Sequence, residues 1–111
     1  MNKYRDKSDF EINKAVAEHV GGFALSLAVI DEPYKPGWNP GKFDPCNNPA
    51  DAMPIVIEHK ICMAYDVFAE EHDGGSWVAQ PAYGFSDERV RSDNYYRAAM
   101  ICFLMMKEVE I

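Results

Sequence analysis

The sequence has no Cys-x-x-Cys pair, no His-x-x-x-His, no glycine-rich phosphate loop and no nucleophile elbow. Its three cysteines, Cys46, Cys62 and Cys102, are odd in number and widely spaced. That excludes a disulfide framework and a zinc ribbon, and suits a reducing cytoplasm. Long apolar runs are also missing. The longest, Ala98 to Met106, is roughly half of what a bilayer span needs, so no membrane partner is expected. The basic start, Lys3, Arg5 and Lys7, is followed by Asp9 and Glu11 instead of an apolar signal core, which argues against a secretory signal. Basic excess is absent too: 11 Lys+Arg against 18 Asp+Glu give −7. Such a chain is a poor general binder of phosphate backbones, and nucleic acid is not an expected partner.

What is present is an ordinary globular composition, 48% hydrophobic and 13% aromatic over 111 residues. That length fits one domain, 1–111, with a modest core. Ser8-Asp9-Phe10-Glu11 is a capping box. The helix after it carries Ile12, Ala15, Val16, His19 and Val20 on one stripe, and Gly21-Gly22 should end it. The short apolar run from Phe23 to Ile30 predicts a buried strand. Between Asp31 and Asn48, four prolines and Gly37 and Gly41 exclude regular structure. A connection of that length in a small domain is commonly functional or disordered. Here Tyr34, Trp38 and Phe43 predict an ordered loop packed down by its rings.

Asn48-Pro49-Ala50-Asp51 starts a second helix, with Asn48 as N-cap, Pro49 where no amide is needed and Asp51 complementing the dipole. It should run to Glu58 or His59. Residues 61–68 alternate with strand period, Glu70 to Gly75 turns the chain, and Ser76 to Gln80 returns as a hairpin partner before Pro81. Phe85 to Ser92 reads as a charged loop. Asp93 or Asn94 caps a last helix whose middle, Ala98 to Met106, is apolar on every face. Such a helix must be surrounded, which predicts a homodimer seam at Met100, Phe103, Leu104 and Met106. The fold class is therefore α+β: a small, mainly antiparallel sheet of about three strands with three helices.

The segment Cys46-Asn47-Asn48-Pro49-Ala50-Asp51-Ala52-Met53-Pro54-Ile55-Val56 and the terminal Arg97 to Met106 resemble the NinX-like small accessory proteins of tailed phages and prophages. The resemblance spans most of the chain and implies an α/β/α sandwich-like phage domain in the host cell cytoplasm. It implies no chemistry.

The candidate working surface combines the proline-rich loop with the helix start it feeds. Helix amides suit an anion, the Asn47 and Asn48 amides can read polar edges, and Tyr34 or Trp38 can stack on a ring. Arg89 and Arg91 alternate and would face the same way in an extended segment. The bland alternative is that Asn48 only caps and Trp38 closes a minor core, while Asp51 repels an anion from the same amides. Cys46 near a helix start has the position of an activated thiol, yet His59 would lie about 15 Å away along the helix. The turn Glu70-Glu71-His72-Asp73 lacks the spacing of a metal loop, so no metal and no cofactor is expected. Three functions are compatible with these residues. The first is a non-enzymatic accessory protein that binds or sequesters a small polar ligand, such as a nucleotide, to counter host defence. The second is an acidic binder or inhibitor of a host protein, and the third is a Cys46-dependent enzyme.

Overall fold

A computed structural model describes residues 4, 6–26, 29, 43–82 and 89–109. Helix α1 covers Asp9–Ser26. Its capping box forms as predicted: the Glu11 amide donates to Ser8 Oγ at 3.2 Å, and the Ser8 amide donates to Glu11 Oε1 at 3.4 Å. Gly22 does break the helical path, with φ 69° and ψ −157°, a conformation open to glycine. Beyond it the chain resumes helical turns through Ser26 and does not enter the strand expected from Phe23. Only Val29 and Ile30, at the far end of that apolar run, are β-branched, so its first half has no local resistance to helix. The buried stripe is Ile12, Asn13, Val16 and Ala17, while His19 and Val20 lie exposed. Asn13 on this stripe bonds to Asp44 and to the Cys46 amide.

Helix α2, Pro49–Glu58, begins where the cap and proline place it, and Asn48 Oδ1 accepts from the Ala50 amide at 3.0 Å. Ala52, Ile55 and Val56 form its buried face. Lys60 then adopts φ 57°, the left-handed turn that commonly ends a helix, and redirects the chain into β1.

Strands β1 (Ile61–Tyr65), β2 (Trp77–Pro81) and β3 (Val90–Ser92) form an antiparallel sheet in sequence order. The hairpin is the expected one, three residues shorter on the first strand. The third strand is not the expected one: it lies inside the predicted charged loop, pairing Val78 with Arg91 and Ala79 with Val90. A three-residue strand leaves too little alternation to read, and burial of Val90 on the core fixes it. One sheet face carries Ile61, Met63, Ala79 and Val90 inward, whereas Cys62, Ala64 and Gln80 of the other are exposed. The described helices therefore do not cover both faces as an α/β/α sandwich would.

Helix α3, Tyr95–Val109, is central: it contacts all three strands, α1 and α2. Met100, Phe103 and Leu104 are at most 1% exposed within the single chain, and Met106 packs partly buried against the same core. The apolar helix is thus surrounded by its own chain. The homodimer seam expected at these positions receives no support from Met100, Phe103 and Leu104, whose surface is already spent. Among the described residues, no helix is long and apolar enough to cross a membrane.

Candidate functional site

The residues singled out by sequence fall into separate places. Tyr34 and Trp38 lie outside the described residues. Phe43, from the same loop, packs against the core.

Asn47 and Asn48 stand at a junction where the starts of all three helices meet. Asn94 is the N-cap of α3: its Oδ1 accepts from the amides of Tyr96 and Arg97 at 2.9 and 3.2 Å. Its Nδ2 reaches back to the Cys46 carbonyl at 2.7 Å and Asn47 Oδ1 at 3.2 Å. Asn47 Nδ2 donates to Asp9, in the first turn of α1, and to Asp44. From α3, Arg97 Nη1 meets Asp9 Oδ1 at 2.6 Å, and its Nη2 donates to the Lys7 carbonyl at 2.5 Å. Asn13 closes the junction from below, donating to Asp44 Oδ1 at 2.6 Å and accepting from the Cys46 amide at 3.0 Å. Three helix dipoles point their positive ends at one place, and Asp9, Asp44 and Asp51 supply the negative charge there. Asn47 therefore ties the starts of α1 and α3 together, while the Asn48 side chain caps α2.

Cys46 is buried in this junction, and burial pushes its thiol well above the ordinary cysteine value, with Asp9 adding to the shift. A thiolate is what attacks or ligates, so the environment opposes the nucleophilic role weighed above. Cys102, in α3, is pushed up to about 12, again by burial.

Arg89 and Arg91 do come together, on the outer face of the sheet. They line a cavity of about 160 Å³ with Cys62, Ala64, Asp66 and Gln80. The small side chains of β1 leave the depression and the arginines border it. Arg91 is fixed: its Nη2 pairs with Asp66 Oδ2 at 2.9 Å and its Nη1 reaches the Gly75 carbonyl at 3.4 Å. Arg89 is exposed and makes no ion pair with another described residue.

Asp66 escaped the sequence reading because its partners are remote: Arg91 is 25 residues away. Only its local role, accepting the Phe68 amide at 2.9 Å, has a sequence signal, that of an Asx turn. Its carboxyl is held below the usual carboxylate value, first by the Phe68 amide and then by Arg91. A lowered folded value means the contribution is complete above the ordinary aspartate value of about 3.9 and is lost as pH falls through the lowered one. The Phe68 amide resonance should therefore stay fixed from pH 7 to about 4 and move only in stronger acid; movement near pH 5 would show that the turn is not held this way.

The described residues thus form a small α+β domain with a depression bordered by Arg89 and Arg91 on the outer face of its sheet. The chain matches the family described as Bacteriophage P22, NinX, over residues 3–107, and belongs to that family. It is thus a phage protein, consistent with an accessory role. No curated protein and no solved structure shows significant similarity to it.

Proposed function

We propose that this NinX-family chain works by non-covalent binding, and that its ligand is a small polar molecule carrying an anionic group, of the nucleotide class, held at the outer face of the sheet. The observation that supports this reading is the meeting of Arg89 and Arg91 over one depression in a chain of net charge −7. Arg91, preset by Asp66, presents the remaining edge of its guanidinium without losing side-chain freedom on binding. Arg89 supplies the second cation, and Gln80 a neutral donor and acceptor. The volume is below the roughly 300–1,000 Å³ of a site for a whole drug-sized ligand. The described contacts accordingly take the anionic group alone. Sequestration of such a ligand in the host cytoplasm, against a host defence, is the role this chemistry fits.

The test is a titration of inorganic phosphate, AMP and ATP followed by backbone amide shifts. Shifts should cluster at Ala64, Gln80 and Arg91, and Arg89→Gln should weaken the tightest of these ligands about tenfold, the worth of one charge-assisted hydrogen bond. Shifts confined to Asn47 and Asn48, or none with any of the three, would overturn the site. Native mass spectrometry of protein from infected cells, before and after denaturation, would identify the ligand as a mass lost on unfolding.

A further inference from the structure

At the tip of the β1–β2 hairpin the chain places large apolar side chains in solvent. Phe68 is 87% exposed and Val67 71%, with Tyr65 beside them also exposed. The two occupy the centre of a turn closed by the Ala69 amide on the Asp66 carbonyl at 3.2 Å. Such positions ordinarily hold Gly, Pro, Asn, Asp or Ser; here nothing about the backbone needs a ring. The turn is nevertheless firmly set. Asp66 caps the Phe68 amide, is itself held by Arg91, and its own amide donates to the Ser76 carbonyl at 2.7 Å. Folding has therefore set the backbone that carries two solvent-exposed apolar side chains, and the backbone ordering cost that a flexible tip would meet on binding is already met.

Beside this knob lies a concavity of about 410 Å³ bordered by Glu70, Glu71 and Asp93. Glu71 and Asp93 have no cationic partner among the described residues, and the nearest imidazole, His72, sits between Glu70 and Asp73 at 3.4 Å from each. Apolar anchor and acidic concavity together specify the complement: an apolar pocket with lysine or arginine on its rim. Two copies of this chain meeting tip to tip would set carboxylates against carboxylates. An anionic bilayer surface would repel the same groups.

We infer that the Val67-Phe68 turn is the anchor by which this protein docks onto another protein, one that presents an apolar pocket rimmed by basic side chains. The inference does not require an anion to be bound, although Asp66 and Arg91, which pin the turn, also border the cavity on the outer face of the sheet. Phe68 fills the pocket, Val67 and Tyr65 exclude water around it, and Glu70, Glu71 and Asp93 pair with the rim. Anchors of this kind concentrate binding energy in one aromatic side chain.

The experiment replaces Val67 with a photo-crosslinking amino acid in the full chain, expressed in host cells, with the same replacement at exposed Ile57 on α2 as the control. Crosslinked peptides are then sequenced. The expected result is one protein labelled from position 67 and not from 57, at a peptide where apolar residues adjoin lysine or arginine. With that protein purified, Phe68→Ala should weaken binding roughly thirtyfold, as truncation of an anchor does. A Glu70→Lys/Glu71→Lys double variant should also weaken it and reduce its salt dependence, with thermal unfolding of both variants unchanged. Equal labelling from both positions, an adduct with lipid or with a second copy, no adduct at all, or an affinity indifferent to Phe68→Ala would each overturn the inference.

Discussion

Phe103→Ala should lower the stability of this protein by about 3–5 kcal/mol, the usual result of emptying a buried aromatic site. Phe103 is 1% exposed, and its ring meets His19 of α1 at 6.0 Å and His59 at the end of α2 at 4.8 Å. It is the side chain on which both outer helices close over α3. Domains of this size are stable by roughly 5–15 kcal/mol, so the loss is a large share. Each kcal/mol is worth about 4–8 °C in Tm, and a fall of at least about 12 °C is expected by calorimetry. The midpoint should not depend on protein concentration, because the lost contacts lie within one chain. A concentration-dependent midpoint, with a halved mass in light scattering, would instead return Phe103 to a subunit seam.

Asn13→Leu should cost roughly 2–4 kcal/mol despite adding apolar volume, since it strands the Cys46 amide, at about 1–3 kcal/mol, and removes one charge-assisted bond to Asp44. Asn13 is 4% exposed, accepts from the Cys46 amide and donates to Asp44. Leucine can do neither, and the Cys46 amide is buried with no alternative acceptor shown. Urea unfolding should show a lower midpoint with an unchanged slope. A variant as stable as the wild type would mean that the junction of helix starts contributes little, and that apolar packing alone sets the α1–α2 geometry.

Those two sites differ in how far they could be read from sequence. Phe103 was visible as part of an apolar helix, but its neighbours were not; an all-apolar helix says that something surrounds it, not whether that is another chain. Asn13 was invisible, because one asparagine on an amphipathic helix has many ordinary uses and its partners lie 31 and 33 residues away. For the same reason Asn47 and Asn48 read as ligand-binding amides. An asparagine with a free amide and one tied into a junction share a sequence, and only the positions of Asp9, Asp44 and Asn94 show that the Asn47 side chain is engaged. The alternation of Arg89 and Arg91 predicts that they face the same way, and both line one depression at the start of β3. The exposed Phe68 was concealed by its own alternation pattern, which ran the predicted strand through residue 68 when the ladder ends at Tyr65.

The sequence by itself determined the helix starts and the hairpin. Ser8 with Glu11, Asn48 with Pro49, and the alternation after Ile61 are codes in which each residue acts on one a few positions away, and local backbone geometry translates them without help. The tertiary structure alone decided the third strand, the joining of three helix starts by Asn13, Asn47, Asn94 and Arg97, and the pinning of an apolar turn by Arg91. Each of these pairs groups from distant parts of the chain, and such pairings exist only once burial has brought the elements together and made an unpaired polar group costly.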